Sequence, residues 1–359
     1  MLGVTSEFAD GWLEPVDERL GTDDAGPVKF VDRACDAFGL GQPSGVRRLP
    51  RGGNVVWDVT TACDRFVVKE LPPERFGDLI SGAEFELAAF RAGVVPMAEP
   101  CLDGHGQLIG RMRGSRDHPV CVRVHRFQLG EMPTRPVSAE ITHTAGGSLA
   151  RLQDFASQAG SKFELPTRMW RSLDAELFAE FVDRWGLTRS VVARASSALQ
   201  RAELLIGQWA ESGPLLLPAH CDHKPENALL AGRDLVILDW DEVAACDPRI
   251  EAVEAALRWA WTDSGPDPLT FASVVQGYQD VGRPFGMIKE SDWAKWVAGI
   301  GSWFEFQAAG SLGRWASVSS PSEDSLRGAL DTIRHLIETL DQLSMRTQQL
   351  NEALNRLVA

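Results

Sequence analysis

The chain of 359 residues contains no uninterrupted apolar stretch near the ~18 residues of a membrane-spanning helix. Its six cysteines, Cys35, Cys63, Cys101, Cys121, Cys221 and Cys246, form no CxxC pair, which argues against a zinc-binding or disulfide framework and suits reduced thiols. Walker-type phosphate loops (GxxxxGK followed by Ser or Thr), HExxH helices and GxSxG elbows are all missing. Positive charge is scarce as well. With 36 Lys+Arg against 50 Asp+Glu the net charge is −14, the wrong sign for a general nucleic-acid binder. Residues 1–20 hold five acidic side chains and no apolar run of a signal peptide. The expectation is a cytoplasmic chain without nucleic-acid or membrane partners, monomeric or homodimeric.

What is present reads as an ordinary globular protein, 44% apolar and 24% charged, long enough for two lobes. Residues 1–27 read as an acidic, Gly- and Pro-containing arm. Phe30, Val31, Ala34, Ala37 and Phe38 then fall at helical spacing. Residues 55–60 and 66–71 read as two antiparallel strands, 83–93 as a helix stopped by Gly93, and 107–112 and 120–127 as further strands. After residue 129 helices dominate: 141–156, 173–185, 191–212, 248–262, 291–308 and a long amphipathic helix over 325–359. A short β-like segment, 215–242, interrupts them. The expected architecture is α+β, with a β-rich lobe over 28–128, a helical lobe over 129–359 and a boundary near 127–132.

The β-like segment concentrates chemistry. One apolar run delivers His220, Asp222, His223 and Lys224, with Asn227 just beyond; a second, LVIL, delivers Asp239. Phosphoryl transfer needs each of these types. A carboxylate such as Asp222 orients an attacking hydroxyl and accepts its proton. An amide oxygen (Asn227) and a carboxylate (Asp239) are hard ligands for Mg²⁺. Their spacing suits a tight hairpin that brings two strand ends together.

HCDHKPEN (220–227) resembles the HGDxHxxN loop of the aminoglycoside phosphotransferase and choline-kinase-like family. LDWDEVAACDPRIEA (238–252) resembles that family's IDWE…GDPxxDLA segment, and GGSLARLQDF (146–155) its helix before the loop. The loop is also close to the HRDLKPEN run of protein kinases, but Trp240 and Asp241, not Phe-Gly, follow Asp239. The resemblance implies a two-lobe protein-kinase-like fold, ATP (with GTP open) and Mg²⁺ as cofactors, and a small-molecule hydroxyl acceptor. An antibiotic is the first choice, and a sugar, amino-sugar or choline-like metabolite the next. It assigns Asp222 as base, Asn227 and Asp239 as metal ligands and His220 as an orienter of the loop. Lys224 is placed to contact the transferred phosphoryl group, and Asp241 to assist metal or substrate. Cys221 stands where the family often has Gly, and His223 where it often has an apolar residue.

The amino lobe supplies supporting candidates. Lys69 can meet phosphates if a helix carboxylate holds it, Glu84 being the first candidate and Glu86 the second. Gly52, Gly53 and Asn54 offer a phosphate-facing turn. Phe127, Gln128 and Leu129 sit where the lobes should join and are candidates for adenine. Trp259, Trp261, Trp293, Trp296, Trp303 and Trp315 read first as helix packing; Trp259 and Glu251 are kept as substrate candidates, and Glu254 and Asp263 as binders of a cationic group. Three other readings stay open: a transition-metal site at His220, Asp222 and His223, a nucleophilic Cys221, and a kinase-fold binding module without turnover. A protein kinase is a further alternative.

Overall fold

The structure is a computed structural model that describes residues 25–49, 54–159, 162–167, 174–213, 215–313 and 323–358. The amino-terminal part is a five-stranded antiparallel sheet. Its strands are β1 (Pro43–Leu49), β2 (Val55–Thr61), β3 (Arg65–Leu71), β4 (Gly110–Arg113) and β5 (Pro119–Arg126), in the order β1-β2-β3-β5-β4. Alternation assigns the two faces. Phe66 and Val68 of β3 and Val122 and Val124 of β5 join Trp57 and Val59 against Phe30, Val31 and Phe38 of helix α1 (Ala25–Phe38). The opposite face carries Leu71 and Cys121, packed on Leu79 and Ala83 of helix α2 (Phe76–Ala92). Each fully buried Val, Leu or Phe among them contributes roughly 1.5–3 kcal/mol.

The rest is mainly helical: α3 (Ala139–Ala159), α4 (Ala175–Trp185), α5 (Arg189–Glu211), α6 (Pro248–Ala260), α7 (Pro268–Asp280), α8 (Ala294–Ser311), α9 (Glu323–Asp341) and α10 (Leu343–Val358). Two small antiparallel pairs lie between α5 and α6. These are β6 (Leu217–Ala219) with β9 (Ala244–Cys246), and the hairpin β7 (Ala228–Ala231) with β8 (Asp234–Ile237). Trp261–Thr262 and Gly265–Pro266 form a last two-residue pair, β10 and β11. No helix among the described residues is long and apolar enough to cross a membrane.

Several expectations need correction. The helix α1 begins at Ala25, within the expected arm, whose residues 1–24 lie outside the described residues. The edge strand β1 was not anticipated, because PSGVRRL has no buried alternating face. Helix α2 starts seven residues before the expected 83. The long terminal helix is two helices, divided at Gln342. Helix α7 was missed altogether.

Helices α3 and α7 cross at glycine. A Cβ on Gly146 would lie 1.8 Å from the Val274 carbonyl oxygen, and one on Gly277 1.8 Å from that of His143. Backbone meets backbone there, so nothing can give way cheaply. Gly146→Ala is expected to destabilise the protein by about 1–3 kcal/mol through overpacking. Gly147→Ala, whose Cβ would meet the Gly277 carbonyl oxygen at 3.4 Å, is expected to shift stability by less than about 1 kcal/mol. Urea unfolding of both variants makes the comparison; equal losses would contradict it.

Candidate active site

The β7–β8 hairpin does what the spacing of Asn227 and Asp239 requires. Ala228 pairs with Ile237, and the Leu238 amide donates to the Asn227 carbonyl at 2.8 Å. Asn227 therefore sits beside the peptide that leads into Asp239. Its Nδ2 donates to the Asp222 backbone carbonyl at 3.0 Å and to Asp222 Oδ2 at 2.7 Å. With the amide nitrogen so engaged, the Asn227 side-chain oxygen remains the acceptor.

Asp222 also accepts an ion pair from Lys224 Nζ on Oδ2, at 2.8 Å. Burial alone would raise its pKa, but Lys224 and Arg258 hold it far below the usual carboxylate range. Asp222 is therefore ionised at every working pH.

Two backbone positions carry strain. Cys221 (φ 62) and Asp239 (φ 63) are both left-handed without being glycine. The resemblance to a loop with Gly at 221 now has a physical reading, since glycine takes this conformation freely. Buried charge pins Cys221 here: Glu251 Oε1 accepts from its N–H at 3.0 Å, and Lys295 Nζ donates to its carbonyl at 3.1 Å. Lys295 is itself ion-paired to Glu254, which also pairs with Arg258 at 2.8 Å. The thiol is buried against Ala219, Ala244 and Cys246, which does not suit a nucleophile.

His220 orients the turn. A carbonyl only accepts, so its Nε2–H donates to Leu238 (3.0 Å), and Nδ1 accepts from the Asp222 amide (3.3 Å). His223 Nδ1 accepts from Trp259 Nε1 at 3.0 Å. Both ring nitrogens of His220 are thus committed, and the described residues hold no group of three or more His, Cys, Asp or Glu arranged for a metal ion.

The sheet contributes cations. Lys69 of β3 stands directly across from Arg123 of β5, a pairing of like charges that is unfavourable unless compensated. Lys69 Nζ reaches Asp239 Oδ1 at 2.5 Å and Asp241 Oδ2 at 2.8 Å. Arg123 pairs with Asp241 Oδ1 at 2.6 Å and with Glu86 Oε2. His125 Nε2 lies 3.0 Å from Glu86 Oε1. Burial would raise Glu86 and Asp241, but Arg123 and His125 pull the first below its usual range, and Lys69 and Arg123 the second.

Four expectations are corrected by this geometry. Glu84 does not hold Lys69: the buried stripe of α2 runs through Leu79, Ala83, Glu86 and Ala89, which turns Glu84 to solvent. Glu86, the second candidate, is buried but serves Arg123. Asp241 is buried between Lys69 and Arg123, not turned to substrate. Glu251 and Trp259 are core residues beneath the loop, Glu251 also bonding Gln153 at 3.0 Å. Gly52 and Gly53 lie outside the described residues; Asn54 immediately precedes β2. Phe127, Gln128 and Leu129 follow β5, with Leu129 exposed and the Arg65 guanidinium 3.6 Å from the Phe127 ring. Arg123 and Lys295 were missed, although charged residues between valines in VCVRVHR did mark the first.

Burial sets a pH dependence. It pushes His223 down to about 3, with His220 adding to the effect, and lowers His220. Both are neutral in the fold but protonate near ~6.5 when unfolded. Stability from these groups is therefore complete above ~6.5 and is lost as pH falls toward the folded values. For His223 the loss between pH 6.5 and 5 is about 2 kcal/mol. A thermal-melting series over that range checks this, and His223→Gln is expected to flatten the curve.

No protein-family model matches the sequence, and no curated protein matches it. Solved structures do match in fold. An amicoumacin kinase in complex with AMP-PNP and Ca²⁺ superposes with a TM-score of 0.63 at 13% identity, covering 86% of this chain and 92% of that one. A microcompartment-associated aminopropanol kinase gives 0.62 at 15%, covering 88% and 98%. A choline/ethanolamine kinase family protein from Mesorhizobium loti gives 0.56 at 17%, covering 90% and 99%. The chain thus has the α+β, two-lobe, protein-kinase-like fold of these small-molecule kinases.

Proposed function

We propose that the protein is an ATP- and Mg²⁺-dependent O-phosphotransferase acting on a hydroxyl of a small molecule. One observation carries the reading. A single loop and hairpin gather Asp222, Asn227 and Asp239, and a lysine from the facing sheet reaches the last of them. Hard oxygen donors of this kind fit Mg²⁺: Asn227 through its free side-chain oxygen and Asp239 through a carboxylate that is 29% exposed. The bound ion would supply charge neutralisation of the phosphates. Lys69 is the group to bind α/β-phosphate oxygens. Asp222 orients the acceptor hydroxyl and receives its proton, and Lys224 beside it faces the transferring group.

The acceptor proposed first is an antibiotic, with sugars, amino sugars and choline-like metabolites next. Glu251 and Glu254 no longer support a cationic acceptor, since both are buried and bonded internally. The test is a mass screen with ATP and Mg²⁺ over these compound classes. Gain of one phosphoryl group by a member, absent without Mg²⁺, supports the reading. Binding of AMP-PNP with no transfer to any acceptor would favour a module without turnover.

A further inference from the structure

A lysine that is to grip phosphate gains from a fixed anion behind it, because its four-carbon stem is flexible and its ammonium is a point charge. In this chain helix α2 does not supply that anion. Both oxygens of Glu86 are taken, one by Arg123 and one by His125, and Glu84 faces solvent. Lys69 is held instead by two acids of one short segment, Asp239 at 2.5 Å and Asp241 at 2.8 Å.

The two acids are not equivalent. Asp239 is 29% exposed and is the carboxylate proposed above for the ion. Asp241 is 3% exposed, and each of its oxygens has its own cation: Lys69 on Oδ2, and Arg123 on Oδ1 at 2.6 Å. Those cations stand directly opposite each other on β3 and β5, so the Asp241 carboxylate also offsets the repulsion that such a pairing carries. Arg123 is fixed in turn by Glu86 of α2. Charge thus alternates in sign along Glu86, Arg123, Asp241 and Lys69, from the helix to the lysine.

Asp241 is held through its backbone as well. Arg75, just before α2, donates from Nη2 to the Asp241 carbonyl at 2.8 Å and pairs with Glu242 at 2.8 Å. Trp240 packs on both Phe85 of α2 and His220 of the loop, with ring centroids 6.4 and 4.7 Å away. Gly82 of α2 comes so near Val243 that a Cβ on it would lie 3.2 Å from the Val243 Cβ. Residues 240–243 are therefore seated on α2, and Asp241 has little freedom to follow a partner that moves.

We infer that Asp241 is the positioning residue for Lys69: it keeps the ammonium aimed at the nucleotide phosphates when Asp239 turns to the ion. Glu86 acts one step further back, through Arg123. This rests on the phosphotransferase reading and divides the labour between two acids that stand two residues apart, one for the ion and one for the lysine. A lysine already held in place loses less freedom when the phosphates arrive, and that saving appears as affinity for them.

The full chain is titrated by calorimetry with AMP-PNP and, separately, with adenosine, both in the presence of Mg²⁺. Asp241→Asn is expected to weaken AMP-PNP binding roughly tenfold and to leave adenosine binding unchanged, because only the phosphates meet Lys69. Lys69→Met is expected to lose at least as much. In the Lys69→Met background, Asp241→Asn should cost almost nothing more, since the group through which it acts is gone. A general loosening of the fold would instead weaken adenosine as well and add to the Lys69 loss. Asp241→Glu keeps the charge but displaces it by one methylene; it should show the same pattern with a smaller loss, and it carries the comparison should Asp241→Asn fail to fold. Unchanged or tighter AMP-PNP binding by a folded Asp241 variant, an equal loss for adenosine, or full additivity with Lys69→Met overturns the inference. Wild-type protein that binds no AMP-PNP strikes the phosphotransferase reading and this inference with it. Wild-type binding that Lys69→Met weakens and the Asp241 variants do not strikes only this one.

Discussion

Asp222→Asn is expected to lower kcat by roughly 10²–10⁴-fold while leaving ATP affinity nearly unchanged. The substitution isolates charge from shape. An asparagine oxygen can still accept from Lys224 and from Asn227 Nδ2, the two contacts that Asp222 Oδ2 makes. The loop should therefore keep its form, held from beneath by Glu251 and Lys295 on Cys221. What disappears is the anion that, on the function proposed above, aligns the alcohol and takes its proton. The nucleotide-facing groups proposed above, Lys69, Asn227 and Asp239, are untouched. Steady-state kinetics with the acceptor found in the mass screen, together with AMP-PNP binding, give the answer. Turnover at the wild-type rate would remove Asp222 from the chemistry.

Arg123→Leu is expected to cost about 3–5 kcal/mol of stability, the range for removing one member of a buried ion pair. The Arg123 guanidinium is buried and answers two carboxylates, Glu86 and Asp241. Without it, among the described residues, Glu86 keeps His125 and Asp241 keeps Lys69 as ion-pair partners. Adding Glu86→Leu should restore part of the loss, because one of the two stranded charges is then gone. The cycle should be non-additive by about 0.5–3 kcal/mol. Denaturant titration of the single and double variants measures it; additive losses would mean that the two side chains do not act as a pair.

Much of this arrangement was legible in the sequence because local rules and chemistry agreed. The β7–β8 hairpin is short, so the positions of Asn227 and Asp239 in the chain nearly determine their positions in space. Strands β2, β3 and β5 are rich in β-branched residues and match their expected spans to within a residue or so. What was not legible depends on rotation or on distant partners. Glu84 and Glu86 are equally plausible on paper, and only the direction of the α2 stripe separates them. Asp241 and Glu251 look like substrate ligands until their distant partners are known, Lys69 of β3 and Arg123 of β5 for the first, the Cys221 amide and Gln153 for the second. Helix α7 did carry a start signal, Asp267 capping Thr270 with Pro268 next to it, but its glycine and β-branched residues masked the periodicity. Glu254 read in the same way as a binder of a cationic group, whereas it and Glu251 are already bonded to Lys295, Arg258 and Gln153.

The grip of Lys69 on Asp239 and Asp241 has a consequence for the function proposed above. The lysine is a built-in surrogate cation that keeps two neighbouring acids from repelling each other. If Asp239 holds the ion as proposed, a bare divalent ion would have to compete with that tethered rival, whereas triphosphate carrying its ion would offer the lysine a better anion. On that proposal the pair would enter as one cargo, with the lysine as its latch.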